Sequence, residues 1–143
     1  MQFVGEIQGQ SVKIPLDSSS SNTFMSTSLA SKLSGISYCQ HPINVTVANG
    51  NQMVCQQEFR QLSWTIQQCS FVSDVKVLPL SQYDLIVGMD WLVKHSPMKI
   101  DWKYKRILIS YGLERVLLQG VLDTLPIGSV LQVTAVQDDS CQQ

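Results

Sequence analysis

The sequence predicts a mostly β domain with one or two short helices. Short runs of alternating apolar and polar residues recur along the chain, and turn residues separate them closely, which is the pattern of half-buried strands. Helical spacing of apolar residues occurs in only two stretches. The chain has 143 residues, of which 44% are hydrophobic and 15% charged, so its size and apolar content fit one domain with a core of its own.

Alternation at period two predicts the strands. In each stretch the apolar residues at every second position fall on one face, so that face would be buried. The apolar positions are Val12-Ile14-Leu16, Leu62-Trp64-Ile66, Val75-Val77 and Ile107-Ile109. A further strand is predicted over 114–120.

A β-hairpin is predicted around Asn49-Gly50. The apolar stretch 45–47 precedes this pair, and Met53-Val54 follows it. Asn-Gly readily supplies the positive φ angles that a tight hairpin turn requires. We therefore place the tip of the hairpin at Asn49 and Gly50.

Two short helices are predicted from apolar residues at helical spacing. In the first helix, Met25, Leu29 and Leu33 recur every four residues. A glycine follows the first stretch and a proline follows the second, and both residues are typical helix stop signals. The predicted helices are 23–33, before Gly35, and 89–95, before Pro97.

The chain divides into a domain and an extension. Residues 1–112 hold the patterned strands and both helices, and we assign them to one domain. Residues 113–143 are predicted to be a C-terminal extension or linker that is partly strand, with a possible second strand over 130–136. The adjacent acids Asp138 and Asp139 lie in its polar end, where we expect them to be solvated.

Composition excludes several classes of function. A net charge of −1 argues against a protein that coats nucleic acid over its whole surface. No run of about 18 apolar residues predicts a membrane span, and the first residues lack the basic start and apolar run of a secretory signal. Four cysteines without a close pair indicate free thiols in a reducing compartment, so we expect a cytoplasmic protein.

No metal or cofactor is expected. The triplet Cys39-Gln40-His41 is the one fragment with metal-binding residue types close together. Zinc sites normally need two closely spaced pairs of such ligands. We therefore interpret the triplet as ordinary strand or turn residues.

A basic stretch raises nucleic-acid binding as a rival function. Trp102 and Tyr104 lie among cations there, and interleaved cations and aromatic rings can hold a phosphate backbone and stack bases. We favour a solvated hairpin, because such side chains usually face water, and so expect no nucleic-acid partner. The cations are Lys94, Lys99, Lys103, Lys105 and Arg106.

The segment around Asp17 carries the candidate chemistry. The apolar strand that ends at Leu16 is followed by the carboxylate of Asp17 and then by four serines, 18–21. The first predicted helix comes next. On local pattern alone, an N-cap role for Asp17 or a serine is favoured. A serine nucleophile has little support, since the segment lacks a Gly-x-Ser-x-Gly turn and a neighbouring histidine.

Taken together, two distant segments resemble a known family. The first is Asp17-Ser18-Ser19-Ser20-Ser21-x-x-Phe24, and the second is Tyr83-Asp84-x-Ile86-x-Gly88-Met89-Asp90-Trp91-Leu92. In this order and spacing they resemble the proteases of gypsy-class LTR retrotransposon polyproteins, nearest to the plant type. The predicted hairpin resembles the flap of that family, and the stretches 78–80, 100–102 and 107–109 resemble its other strands.

The resemblance implies a fold and an activity. It implies a closed retropepsin-type (acid protease) barrel that forms one subunit of a homodimer, because the chain offers a single aspartate motif. The implied function is that of an aspartic endopeptidase that processes a polyprotein, with an extended polypeptide as substrate and water activated by two Asp17 carboxylates. The implied site residues are Asp17, Ser18 and Ser19 for catalysis, and Ser20, Val47, Ala48, Asn49 and Gly50 for substrate binding.

One position departs from the family pattern. The family has glycine where this chain has Ser19, and that amide approaches the catalytic carboxylates closely. A side chain there could clash across the dimer axis or rotate the amide away. The alternative function is therefore a protease-derived domain, inactivated at Ser19, that acts as a dimerising or peptide-binding module.

Overall fold

The computed structural model describes residues 1–47 and 50–122. This part of the chain confirms a mostly β fold with two short helices. The elements in chain order are β1 (Gln2–Ile7), β2 (Gln10–Pro15), β3 (Phe24–Ser26), α1 (Thr27–Ala30), β4 (Ile36–Thr46), β5 (Gln52–Ile66), β6 (Cys69–Leu78), β7 (Leu85–Ile86), α2 (Met89–Lys94), β8 (Lys99–Asp101), β9 (Arg106–Tyr111) and β10 (Glu114–Gln119).

The strands of the described residues form two sheets. The larger one has the order β2-β1-β5-β6-β3-β7, with β4 paired to β5, and the smaller one has the order β10-β9-β8. Most neighbours are antiparallel, but β3 runs parallel to β6. Beyond the end of β2, Leu16 forms a parallel bridge to Val87. This bridge brings together the segments that follow β2 and β7.

The alternating stretches form the core, as predicted. Their inward side chains are buried, while the intervening positions are exposed or half-buried, as expected for strands with one face against a core. Leu16, at the end of the first stretch, is only half-buried. The buried members are Val12, Ile14, Leu62, Trp64, Ile66, Val75, Val77, Ile107 and Ile109.

The predicted hairpin joins β4 to β5. Their register pairs Thr46 with Gln52, and the Gly50 amide donates to the Val47 carbonyl at 2.9 Å. Gly50 has a φ of 89°, a conformation that glycine adopts without steric cost. The hairpin is confirmed, although Ala48 and Asn49 lie outside the described residues.

The first predicted helix, 23–33, was too long at both ends, because the observed helix covers only Thr27–Ala30. Residues 24–26 form β3, whose pairing with β6 places Met25 beside Val77. The helix is the short α1, and its N-cap is Ser26, whose hydroxyl accepts from the Leu29 amide at 3.0 Å. Strand pairing therefore overrides the four-residue spacing at Met25, and the N-cap role predicted for Asp17 or the serines after it is wrong.

The C-terminal strand belongs to the smaller sheet. β10 pairs with β9 along its whole length, and its Leu118 is fully buried, which confirms the strand predicted over 114–120. The predicted helix over 89–95 is confirmed as α2, with His95 as its C-cap. The strand predicted over 130–136 and the acids Asp138 and Asp139 lie outside the described residues, and the division after residue 112 stays a prediction.

Candidate active site

Asp17 lies two residues after the end of β2, and its backbone is held by a neighbouring chain segment. Its amide donates to the Val87 carbonyl at 2.9 Å, and the Val87 amide donates to the Pro15 carbonyl at 3.1 Å. Val87 itself is fully buried in the core. The backbone of Asp17 is thus fixed to the core, while its side chain is only half-buried and can meet solvent or a ligand.

Ser19 holds the Asp17 carboxylate. Its amide donates to Oδ1 of Asp17 at 2.9 Å, and its hydroxyl donates to the same oxygen at 2.5 Å. Within the described residues, Oδ2 has no hydrogen-bond donor. One carboxylate oxygen is therefore held by its own loop, and the other is not.

The serine at position 19 fits one chain without backbone strain. The residues with positive φ in the described part of the chain do not include Ser19, so its backbone conformation does not call for glycine. Its amide points at the carboxylate at 2.9 Å. Within a single chain, the amide has therefore not been rotated away from the carboxylate.

A hydrogen-bonded network joins the Asp17 loop to α2. The hydroxyl of Thr23 donates to Oδ1 of Asp90 at 2.8 Å, and the Thr23 amide donates to Oδ2 at 3.1 Å. The same hydroxyl accepts from the Gly88 amide at 3.3 Å. Thr23 is fully buried, so these partners satisfy a polar group that would otherwise be costly to bury.

At Gly88 the backbone packs directly against the Asp17 loop. A Cβ at this position would lie 2.4 Å from the Asn22 carbonyl oxygen and 2.5 Å from that of Ser20. The amide of Met89 donates to the Ser20 carbonyl at 2.7 Å. This contact between two backbones leaves no room for a side chain.

The remaining predicted site residues lie in two places. Ser18 and Ser20 share the Asp17 loop; Ser18 is exposed, and the hydroxyl of Ser20 donates to the Asn22 carbonyl at 2.6 Å. Val47 and Gly50 lie at the end of the β4–β5 hairpin. The structure thus groups the serines with Asp17, while the part of the hairpin residues in substrate binding stays a prediction.

A buried charge beside the hairpin was not found from the sequence. Glu58 on β5 is 5% exposed, and its carboxylate pairs with Lys76 at 2.8 Å and Arg60 at 3.1 Å. Hydrogen bonds from Lys76 and Arg60 lower the pKa of Glu58. The amide of Lys76 donates to the Thr23 carbonyl at 3.0 Å, which links this ion pair to the Asp17 loop. A glutamate in an alternating strand gives no sequence signal of burial.

Two features, a metal site and a membrane-spanning helix, are absent from the described part of the chain. No group of three or more His, Cys, Asp or Glu side chains lies close enough there to hold a metal ion. No helix among these residues has the length and apolar character to cross a membrane. Cys39, Cys55 and Cys69 are free thiols.

Comparison with known proteins identifies relatives. A family profile described as "Retroviral aspartyl protease" matches residues 3–114. No curated protein sequence matches the chain. Among solved structures, the retroviral protease-like domain of Ddi1 from Leishmania major is similar at a TM-score of 0.64 and 17% identity, covering 91% of this chain and 97% of that one. This likeness confirms the predicted retropepsin-type fold.

Proposed function

Since the chain belongs to the retroviral aspartyl protease family, we propose that it is one subunit of a homodimeric aspartic endopeptidase. The observation that carries the proposal is the Asp17 carboxylate, which follows the half-buried strand β2 and has one oxygen held by Ser19, while the other has no hydrogen-bond donor among the described residues. Each chain supplies one such carboxylate. Aspartic protease chemistry needs two that share a proton, so a second copy must supply the other.

The two Asp17 carboxylates would divide the work of acid and base. At a separation of about 3 Å, both cannot be ionised together, so the pair holds one proton and titrates in two steps. The ionised carboxylate takes a proton from the attacking water. The protonated one donates to the peptide carbonyl oxygen and later helps the amine to leave.

The proposed substrate is an extended segment of a polyprotein, as the resemblance to retrotransposon proteases implies. The β4–β5 hairpin supports this substrate because a strand-like peptide can pair with backbone groups at its end. Val47, Ala48, Asn49 and Gly50 would form that part of the site, and closure of the hairpin would exclude water. The free thiols agree with a reducing, cytoplasmic location.

Ser19 supports a second candidate function. Its hydroxyl occupies an acceptor position on Asp17 that a glycine would leave empty. If this side chain keeps two Asp17 loops from meeting across the dimer axis, the domain would not hydrolyse peptides. It would then act as a dimerising or peptide-binding module.

Cleavage of an unfolded protein between about pH 4 and pH 7 tests the proposal. Three proteins are compared: the chain itself, Asp17→Asn and Ser19→Gly. Asp17→Asn keeps the shape of the side chain but removes the ionisable group. We expect cleavage by the chain itself, and a loss of at least about 1,000-fold in Asp17→Asn, since general acid-base catalysis contributes roughly 100- to 10,000-fold for each group.

The three proteins separate the two candidate functions. Cleavage by Ser19→Gly alone would support the inactivated module and overturn the proposal for the natural chain. Cleavage that survives Asp17→Asn would show that another group performs the chemistry. Sedimentation of each protein at the assay concentration reports whether cleavage requires the dimer.

A further inference from the structure

The turn between β8 and β9 carries cations and aromatic rings that the protease chemistry does not use. We define the basic turn as residues 99–106. It holds Lys99, Lys103, Lys105 and Arg106 against one acid, Asp101, in a chain whose net charge is −1. The sequence pattern alone favours solvated side chains. The structure shows in addition that hydrogen bonds hold the backbone of this turn and that its aromatic rings are exposed.

The basic turn is held in one conformation. Asp101 accepts from the Tyr104 amide at 3.0 Å and from the Arg106 guanidinium at 3.3 Å. From β10, the Gln119 side chain donates to the Tyr104 carbonyl at 2.8 Å and to the Lys105 carbonyl at 3.3 Å. An ordered turn loses less conformational entropy when it binds a ligand than a free loop does.

The two aromatic rings of the basic turn have different surroundings. The Tyr104 ring has Lys103 Nζ at 5.3 Å and Arg106 Cζ at 5.1 Å from its centroid, within the range of a cation–π contact. The Tyr104 ring therefore contacts two cations. Trp102 is 41% exposed and has no ring or cation contact within the described residues, so its face is open to stacking.

We propose that the basic turn binds single-stranded nucleic acid, with a base stacked on Trp102 and the phosphates held by Lys99, Lys103 and Arg106. Stacking needs an unpaired base, so a single strand fits this surface better than a duplex. An anionic membrane fits less well because the fully exposed Leu113 lies at the opposite end of β9 from Trp102. This proposal does not depend on the protease activity.

Fluorescence anisotropy of the full chain with a labelled 12-nucleotide single strand tests the proposal. We expect binding at about 50 mM salt, and a fall of log K against log salt with a slope of about −2, as roughly three phosphate contacts give. Trp102→Ala should weaken binding by about 5- to 100-fold, whereas Trp102→Phe should restore most of it. Lys99→Gln with Lys103→Gln should flatten the slope by about 1.4.

Matched controls exclude a general charge effect and a loss of fold. Lys13→Gln with Lys32→Gln removes the same charge from exposed positions elsewhere and should leave binding unchanged. Equal loss in both lysine pairs, or undiminished binding by a folded Trp102→Ala, would overturn the proposal. Stronger binding to a duplex or to anionic vesicles would also overturn it. The same holds if Trp102→Ala binds as well as the parent chain when sedimentation shows that both proteins contain the same fraction of dimer.

Discussion

Positions 19 and 88 are two places near the candidate site where the family pattern has glycine, and their surroundings differ. At position 88 a Cβ would meet two backbone carbonyl oxygens at 2.4 and 2.5 Å. At position 19 the chain carries a serine without positive φ, and its side chain turns back to bind Asp17. The contacts within one chain therefore require glycine at position 88 but not at position 19.

The two positions therefore meet different requirements. Gly88 belongs to the machinery that folds one subunit, because it lets the Asp17 loop pack against the start of α2. Under the proposed function, Ser19 would instead affect how two subunits meet. A side chain at position 19 can therefore leave the fold intact and still decide whether the enzyme is active.

The largest effect is expected for Gly88→Ala. The added methyl group meets backbone atoms that cannot move without separating the two loops. Overpacking usually lowers the free energy of unfolding by about 1–3 kcal/mol, and we expect a loss of about 3 kcal/mol or more here. Chemical denaturation should show the loss of unfolding free energy. Gly112→Ala is the control, since a Cβ there has nothing within 4 Å and only its φ of +64° is unfavourable; equal losses in both variants would refute the contact argument.

Thr23→Val is expected to have an intermediate effect. It keeps the shape of a fully buried side chain but removes the hydroxyl that links Gly88 and Asp90. Leaving those groups short of a partner costs about 1–3 kcal/mol, which urea denaturation can resolve. Thr46→Val, at an exposed position on β4, should change stability by less than about 0.5 kcal/mol. A Thr23→Val protein as stable as this control would show that the loops do not depend on the network.

A pH dependence is expected at the far end of α2. His95 is 9% exposed, and its Nδ1 lies 2.8 Å from the Ser110 carbonyl oxygen. Burial lowers its pKa below the ordinary 6.5, and the neighbouring Lys94 acts in the same direction. The folded state thus favours neutral imidazole, so this stability is complete above about pH 6.5 and declines as the pH falls from there through the folded-state pKa.

Urea denaturation between pH 7 and pH 5 can isolate this contribution. His95→Gln removes the titrating group, so its unfolding free energy should fall less over that range than that of the parent chain. The exposed His41 provides the control, and His41→Gln should follow the parent. Parallel curves for the parent and His95→Gln would show that His95 does not carry the pH dependence.

Much of the fold could be predicted from periodicity, and the errors have physical causes. Trp64 and Ile109 lie in alternating strands whose inward faces are buried, as expected when one face meets the core. Met25 was assigned to a helix because apolar residues recur every four positions. It lies in β3 instead, since pairing with β6 supplies backbone hydrogen bonds that a sequence pattern does not reveal.

The candidate site was predictable only in part. Asp17 could be found because a carboxylate that ends an apolar strand is unusual, and the distant Gly88 segment made the pattern specific. The bond from Thr23 to Asp90 and the burial of Glu58 were missed. Both depend on contacts between residues far apart in sequence, and neither residue type in its local setting indicates such a partner.

The smallest effect on folding is expected for Ser19→Gly, which gives the sharpest test of the comparison. The change removes one hydrogen bond to Asp17 and adds backbone freedom to the unfolded chain, so the free energy of unfolding should fall by no more than about 1 kcal/mol. Urea denaturation at a concentration where the chain is monomeric measures this term without the partner. A loss as large as that of Gly88→Ala would mean that the serine is required by the fold of one subunit. A small loss together with a changed dimerisation constant would place the constraint at the subunit interface.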